Sequence, residues 1–350
     1  MTRRGFAIAA GLLAAAAVLA GCASAPAPSA PAPAPASPDA PPSAPPDTGG
    51  EIARNGRYAL YRPAPGETLA TIAQRYLGSA DRQWEIEDAN EDAPPAGARV
   101  LAIPLRTPNP VAVSADGYRA VPILCWHRVG PGVSRMTIAP DRFAEQLEYL
   151  KANRYRVLRL SELAEFLDGH RPLPARAVVL TFDDGHVSFY QHAFPLLKKH
   201  GFPATMFLYS DFIGARDALK WPQIQEMAES GLVDFQSHSR THANLVQKLP
   251  GESLAAYQGR VDGELRHPRD LIQRQLRHGV VHFAYPYGDT NDLVLERLPA
   301  AGYTLGLTVN AGPNAFFAHP FALRRTMVYG THDLAAFRAM LQTFRPQDLR

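Results

Sequence analysis

From Val121 onward, short apolar runs alternate with stretches whose apolar residues recur three and four positions apart. The runs are Ile123 to Trp126, Tyr155 to Leu158, Val178 to Phe182, Ala204 to Tyr209, Val233 to Gln236, Val281 to Tyr285, Thr304 to Val309 and Leu323 to Val328. Such short continuous runs suit strands covered on both faces. Between them, Pro140 to Ala152 sets Phe143, Leu147 and Leu150 on one helical face, and Pro222 to Glu229 reads as a second helix. Seven or eight repeats of this rhythm predict an α/β chain whose parallel strands close into a barrel, with its chemistry where strands end and loops begin. Upstream, Tyr58 to Leu105 predicts a compact strand, helix, helix, strand unit. Thr68 caps a helix that aligns Leu69, Ile72, Ala73 and Tyr76, and a second helix carries Trp84, Ile86 and Ala89 to Asn90.

The first residues change the picture of where the chain works. Arg3 and Arg4 precede an apolar run from Phe6 to Ala20, too short to span a bilayer comfortably and typical of a secretory signal. The run ends in Leu19, Ala20, Gly21 and Cys22, which resembles the lipobox of bacterial lipoproteins, so residues 1–21 are expected to be removed and Cys22 to be lipidated. Thr2 to Phe6 also resembles a twin-arginine export signal. The expected location is the cell envelope, exported and lipid-anchored in the outer membrane facing the periplasm. Residues 22–56, rich in Ala, Pro and Ser over most of their length, cannot bury enough apolar surface to offset chain entropy and are expected to be a disordered tether.

Composition narrows the options further. Cys125 is the one cysteine besides Cys22, so no intramolecular disulfide is available once Cys22 is acylated. With 46% hydrophobic residues the chain can build ordinary cores. The net charge of +3 is spread among interspersed acids and bases, with no Lys/Arg cluster to neutralise phosphates, which argues against a nucleic-acid partner.

In the 57–105 unit, Pro65 to Tyr76, Asn90 and Ala96 to Pro104 make the chain similar to a LysM domain, a small βααβ fold. The resemblance implies binding to N-acetylglucosamine-containing chains such as peptidoglycan, with Gly66, Thr68 and Asn90 near the glycan groove. The plain alternative is a small αβ domain whose pattern serves only its core.

Three strand ends in the larger domain, residues 118–345, carry candidate chemistry. The first run meets Asp183, Asp184 and Gly185; two adjacent carboxylates there need a cation or a proton unless they are a solvated Asp-Gly turn. The second meets His238, Ser239, Arg240, Thr241 and His242. Two imidazoles four apart reach one metal, and with Asp184 they form two nitrogens and one oxygen, a set that leaves open positions for water and substrate. The third meets Tyr285, Pro286, Tyr287 and Gly288, a loop whose backbone amide suits an oxyanion, or simply a turn with packed tyrosines.

TFDDG at Thr181 to Gly185, HSRTH at His238 to His242 and FAYPYG at Phe283 to Gly288 together resemble the NodB-type polysaccharide deacetylases, carbohydrate esterase family 4. ILCWHRV at Ile123 to Val129 resembles the first strand of many members. The resemblance implies a distorted (β/α) barrel, with Asp183 as general base and Asp184, His238 and His242 as ligands of a divalent metal. Zinc is the first choice, with cobalt, nickel or iron as alternatives. It also implies the Tyr287 amide as oxyanion donor. Position makes His332 the candidate general acid, and His127, at the end of the first strand, is expected to touch substrate or to support the residues that do, with Tyr285 and Pro286 also against substrate. His186, His192, His200, His267, His278 and His319 are expected to be surface or packing residues.

The chain departs from the commonest family pattern at Ala284, where many members have Arg, and lacks the Asp-Trp pair that partners it. Arg324 or Arg325 is then the candidate for orienting Asp183. The FAYPYG form resembles the branch acting on poly-β-1,6-N-acetylglucosamine. The implied function is N-deacetylation of a glucosamine-containing polysaccharide; a wall-binding lipoprotein without catalysis, or an O-acetyl esterase, are the competing readings.

Overall fold

The computed structural model describes residues 49–90, 100–106, 109, 111–132 and 134–349. The signal segment, Cys22 and the tether as far as residue 48 lie outside the described residues.

The N-terminal module is built on three antiparallel strands, β1 (Gly50–Arg54), β2 (Tyr58–Arg62) and β3 (Leu101–Pro104), with β2 central. Between β2 and β3 lie α1 (Leu69–Leu77) and α2 (Gln83–Ala89). The Thr68 side chain accepts from the Thr71 amide, and the Thr71 hydroxyl returns the favour to the Thr68 amide, which starts α1 where the sequence places a cap. Ile72, Ala73, Ile86, Leu101 and Ile103 close the module's own core. One boundary needs correction: Gly50–Arg54, expected in the tether, is a strand paired with Tyr58–Arg62. It is an exposed edge strand held by its backbone ladder and by an Asn55 turn that takes the amides of Arg57 and Tyr58, so no apolar alternation announces it.

The larger domain winds through β4 (Val121–Trp126), α3 (Pro140–Ala152), β5 (Arg156–Leu158), α4 (Leu160–Leu167), β6 (Ala177–Asp184), α5 (Phe194–His200), β7 (Ala204–Leu208), α6 (Trp221–Glu229), β8 (Val233–Ser237), α7 (Leu254–Leu276), β9 (His282–Ala284), α8 (Asp292–Ala300), β10 (Leu305–Leu307), β11 (Pro313–Asn314) and β12 (Thr326–Met327). The parallel order runs β10, β9, β8, β7, β6, β4, with β12 also parallel to β4. Across the remaining gap β10 meets the chain before β12 through a single Leu307 to Leu323 bridge. The sheet is thus a curled barrel with one weak seam. Antiparallel β11 covers the start of β4, an addition to the simple β/α alternation.

Period-two alternation along β6 separates two environments. Val178, Leu180 and Phe182 face the helical layer with Trp126, Phe143 and Phe189, while Ala177 and Val179 join Val121, Ile123, Phe207, Leu305 and Leu323 inside the barrel. The interior is therefore apolar toward the strand beginnings and turns polar at Thr181 and Asp183. The small module touches the barrel at the apolar end, where the Ala175 amide donates to Asp88 Oδ2 at 2.8 Å. From there to Asp183 is roughly 25 Å along the strand.

Candidate active site

Strand alternation alone would send Asp183 and Asp184 to opposite faces. Asp184 instead has φ +76° and Gly185 φ +88°, and this left-handed step brings both carboxylates to one cavity of about 470 Å³. Glycine is favoured at 185 because side chains rarely adopt φ +88°, and a Cβ there would also stand 2.5 Å from Leu208 Cδ2.

Asp183 is buried and gripped by a fully buried arginine. Arg325 donates Nη1 to Oδ1 at 2.7 Å and Nη2 to Oδ2 at 2.8 Å, while its Nε donates to the Thr308 carbonyl at 2.9 Å. Cys125 Sγ lies 3.4 Å from Oδ2. Burial alone would raise the Asp183 carboxyl, but Arg325 and His238 outweigh it and hold it at about 2. Of the two arginine candidates, Arg325 is the partner, and Arg324 bonds the Ala311 carbonyl instead.

Asp184, His238 and His242 offer ligand atoms that all lie within 4.8 Å of one another. His238 Nε2 is 3.7 Å and His242 Nε2 3.4 Å from Asp184 Oδ1. That oxygen is buried with no hydrogen-bond partner, a costly state unless a cation completes it. His238 Nδ1 donates to the Ala284 carbonyl at 2.7 Å, which leaves the Nε2 lone pair toward Asp184. This donor set fits a divalent metal. His186, expected to be a packing residue, holds the other oxygen, Oδ2, at 3.1 Å. Its two-residue offset from Asp184 was the available signal.

The remaining expectations divide. His127 lines the cavity with a buried Nδ1 that has no partner, and burial lowers its imidazole from the ordinary value. Tyr287 has φ +63°, its ring meets His242 edge-on at 4.8 Å, and its amide finds no backbone acceptor among the described residues. Tyr285 lines the cavity from the core, its hydroxyl donating to the Phe321 carbonyl at 2.8 Å; Pro286 is buried and does not line the cavity. His332 is a correction: its Nδ1 accepts from the Tyr329 amide, and it faces a separate depression with Arg142, Glu145 and Gln146. Position after the last strand marked it, but the chain turns there, and Tyr329 rather than His332 reaches the cavity. Arg135, which stacks on Tyr329 at 4.7 Å, forms the same wall and carried no signal in the sequence.

In the small module, Thr68 spends its hydroxyl on the α1 cap and Gly66 is an exposed turn residue with φ +81°. Asn90 is bound on every side by backbone: it donates to the Ile86 and Ala102 carbonyls and accepts from the Ala102 amide. It is a clamp between α2 and β3.

The fold and the site define a class: a (β/α) barrel with an Asp/His/His donor set beside an arginine-held carboxylate. A family model described as polysaccharide deacetylase matches residues 170–306. IcaB from Ammonifex degensii is 30% identical, covering 63% of this chain and 95% of its own, with a TM-score of 0.56. The Streptococcus pyogenes deacetylase PplD, solved with acetate, is 28% identical, covering 64% and 98%, with a TM-score of 0.58. The poly-β-1,6-N-acetyl-D-glucosamine N-deacetylase of Staphylococcus epidermidis is 29% identical over 182 residues, 51% of this chain and 63% of that protein. The chain belongs to the polysaccharide deacetylase family. It spans a little under two thirds of the staphylococcal enzyme's length. Among the described residues no helix is long and apolar enough to cross a membrane.

Proposed function

We propose that this protein hydrolyses N-acetyl groups on a glucosamine-containing polysaccharide of the cell envelope, poly-β-1,6-N-acetylglucosamine before peptidoglycan or chitin-like chains. The observation that carries the reading is the meeting of the Asp183–Arg325 pair with Asp184, His238 and His242 in one cavity. The staphylococcal relative's name supports the choice of polymer.

Asp184, His238 and His242 would hold a divalent ion, zinc before cobalt, nickel or iron, whose Lewis acidity withdraws electron density from the acetyl carbonyl and from water. Asp183 takes the proton of the attacking water. Arg325 keeps this carboxylate ionised and fixed in direction, at the cost of intrinsic basicity, so the water must be acidified for transfer to proceed. The Tyr287 amide donates to the developing oxyanion. His127, whose ring reaches the cavity where His332 does not, takes up the proton that Asp183 gained from the water and passes it to the leaving amine. The small module grips N-acetylglucosamine polymer in the manner of a LysM domain, and a lipid at Cys22 holds the protein at the envelope.

Metal-loaded protein should release acetate from poly-β-1,6-N-acetylglucosamine oligomers, and a chelator should abolish release until metal is restored. Absence of acetate from that polymer, chitooligosaccharides and peptidoglycan alike would sink the reading.

A further inference from the structure

We infer that Glu264, in the middle of α7, is a positioning residue that sets the loop carrying both histidine ligands. The inference rests on the reading of Asp184, His238 and His242 as a metal site. The five residues from His238 to His242 leave the end of β8 and must present two imidazoles to one point. To do so the backbone enters the left-handed region twice, at Ser239 (φ +74°) and His242 (φ +64°). Each such step at a non-glycine residue is unfavourable and persists only where surrounding contacts enforce it.

The Ser239 and Arg240 carbonyls accept from the Ser210 and Asp211 amides at 3.2 and 2.9 Å, and the loop's own amides turn to one carboxylate. Glu264 Oε2 accepts from the Arg240 amide at 3.0 Å and the Thr241 amide at 2.9 Å, and Oε1 accepts from the Thr241 hydroxyl at 2.7 Å. These are charge-assisted bonds to the two residues midway between the ligands. Glu264 itself is buried, and the helix that bears it is pinned by Val261, Leu265 and Ile272 in the barrel's outer core. The carboxylate is therefore a fixed post in the protein, and the loop is hung from it.

The two ligands depend on this post unequally. His238 has anchors of its own: its amide donates to the Leu208 carbonyl at 2.8 Å and its Nδ1 to Ala284. The His242 backbone is tied by the bond from its amide to Ser239 Oγ at 3.0 Å, a contact within the same loop, and its ring rests against Tyr209 and Tyr287. On the loop's exposed side, Arg240 Nε reaches Asp211 at 3.3 Å, a long and solvated pairing. Without Glu264 the loop can relax its left-handed steps, and His242 is the ligand that leaves register. Glu264 touches neither imidazole and acts through the backbone.

The test is metal binding to metal-free full-length protein, by zinc calorimetry and by the visible absorption of bound Co²⁺. Glu264→Gln keeps the shape but replaces one acceptor oxygen by a donor. It should weaken binding about 10- to 100-fold, the usual penalty for losing a ligand's outer support, and shift the Co²⁺ spectrum. Glu252→Gln is the control: Glu252 pairs with Arg260 at 2.8 Å and braces the start of the same helix without touching the loop. It should leave affinity and spectrum unchanged. Wild-type affinity in Glu264→Gln would overturn the inference, as would equal weakening by Glu252→Gln, which would mean that helix stability matters and the clamp does not. Should Glu264→Gln fail to fold, Thr241→Val removes a single bond, and an unchanged affinity there is equally fatal. If wild-type protein binds neither ion, the metal-site reading itself falls, and this inference with it.

Discussion

Arg325→Met isolates the contact on which the site depends most. In the folded protein the Asp183 carboxyl sits at about 2, against an ordinary 3.8. A folded-state value below the unfolded one means that the ion pair contributes stability above about pH 4, lost as pH falls from 4 toward 2. Methionine fills much of the arginine's volume but leaves Asp183 buried without the guanidinium, with His238 at 3.8 Å left to favour its charge. Burial then dominates and pushes the carboxyl above its ordinary value, so at neutral pH the charged form opposes folding. Breaking one side of a buried pair costs about 3–5 kcal/mol, or a fall in Tm of roughly 6–20 °C for a domain of this size. The penalty should shrink as acid protonates Asp183. It should also shrink in Arg325→Met combined with Asp183→Asn, where no charge remains to strand. Urea unfolding of metal-free protein at pH 7.5 and pH 4.5 measures both effects. A loss below about 1 kcal/mol at pH 7.5, or a loss equal at the two pH values, would refute this account of Asp183.

Asp183→Asn should retain bound metal while turnover drops by about 10² to 10⁴, whereas His238→Ala should lose metal and turnover together; atomic absorption beside an acetate assay separates them, and the reverse pattern would exchange the roles of Asp183 and Asp184. Gly185→Ala places a methyl against Leu208 at a left-handed position and should cost about 1–3 kcal/mol, read as a lowered denaturation midpoint. Deleting residues 50–105 should leave turnover of short soluble oligosaccharides nearly unchanged and reduce deacetylation of insoluble polymer, because the module meets the barrel near Ala175, at the end away from Asp183. Equal losses on both substrates would show that the module helps shape the cavity.

Much of this protein was legible before any coordinates, and the reason is periodicity and termination. Runs such as Val178 to Phe182 have one stable setting, covered on both faces, and polar residues placed at their ends fall at the barrel's mouth. Asp183, Asp184, His238 and His242 could therefore be singled out as a group from position and chemical type. The Thr68 cap and the Pro140–Ala152 helix were equally plain, since both depend on contacts a few residues apart.

What the sequence left open are the matters decided by residues far apart in the chain. Nothing near position 325 says that Arg325, rather than Arg324, turns inward to a carboxylate 142 positions earlier; strand pairing beside β4 decides it. The left-handed steps at Asp184, Ser239 and His242 cancel the alternation that a sequence reader must assume. They exist only because tertiary contacts outweigh their local cost. His332 and His127 differ in the same way: both lie close after strands, yet the fold turns one toward a depression of its own and the other into the cavity. Local pattern determines which elements form and which groups stand at their ends; which of those groups meet is settled by closure of the barrel, because an ion pair or a ligand set is satisfied only where distant strands bring its members within about 4 Å.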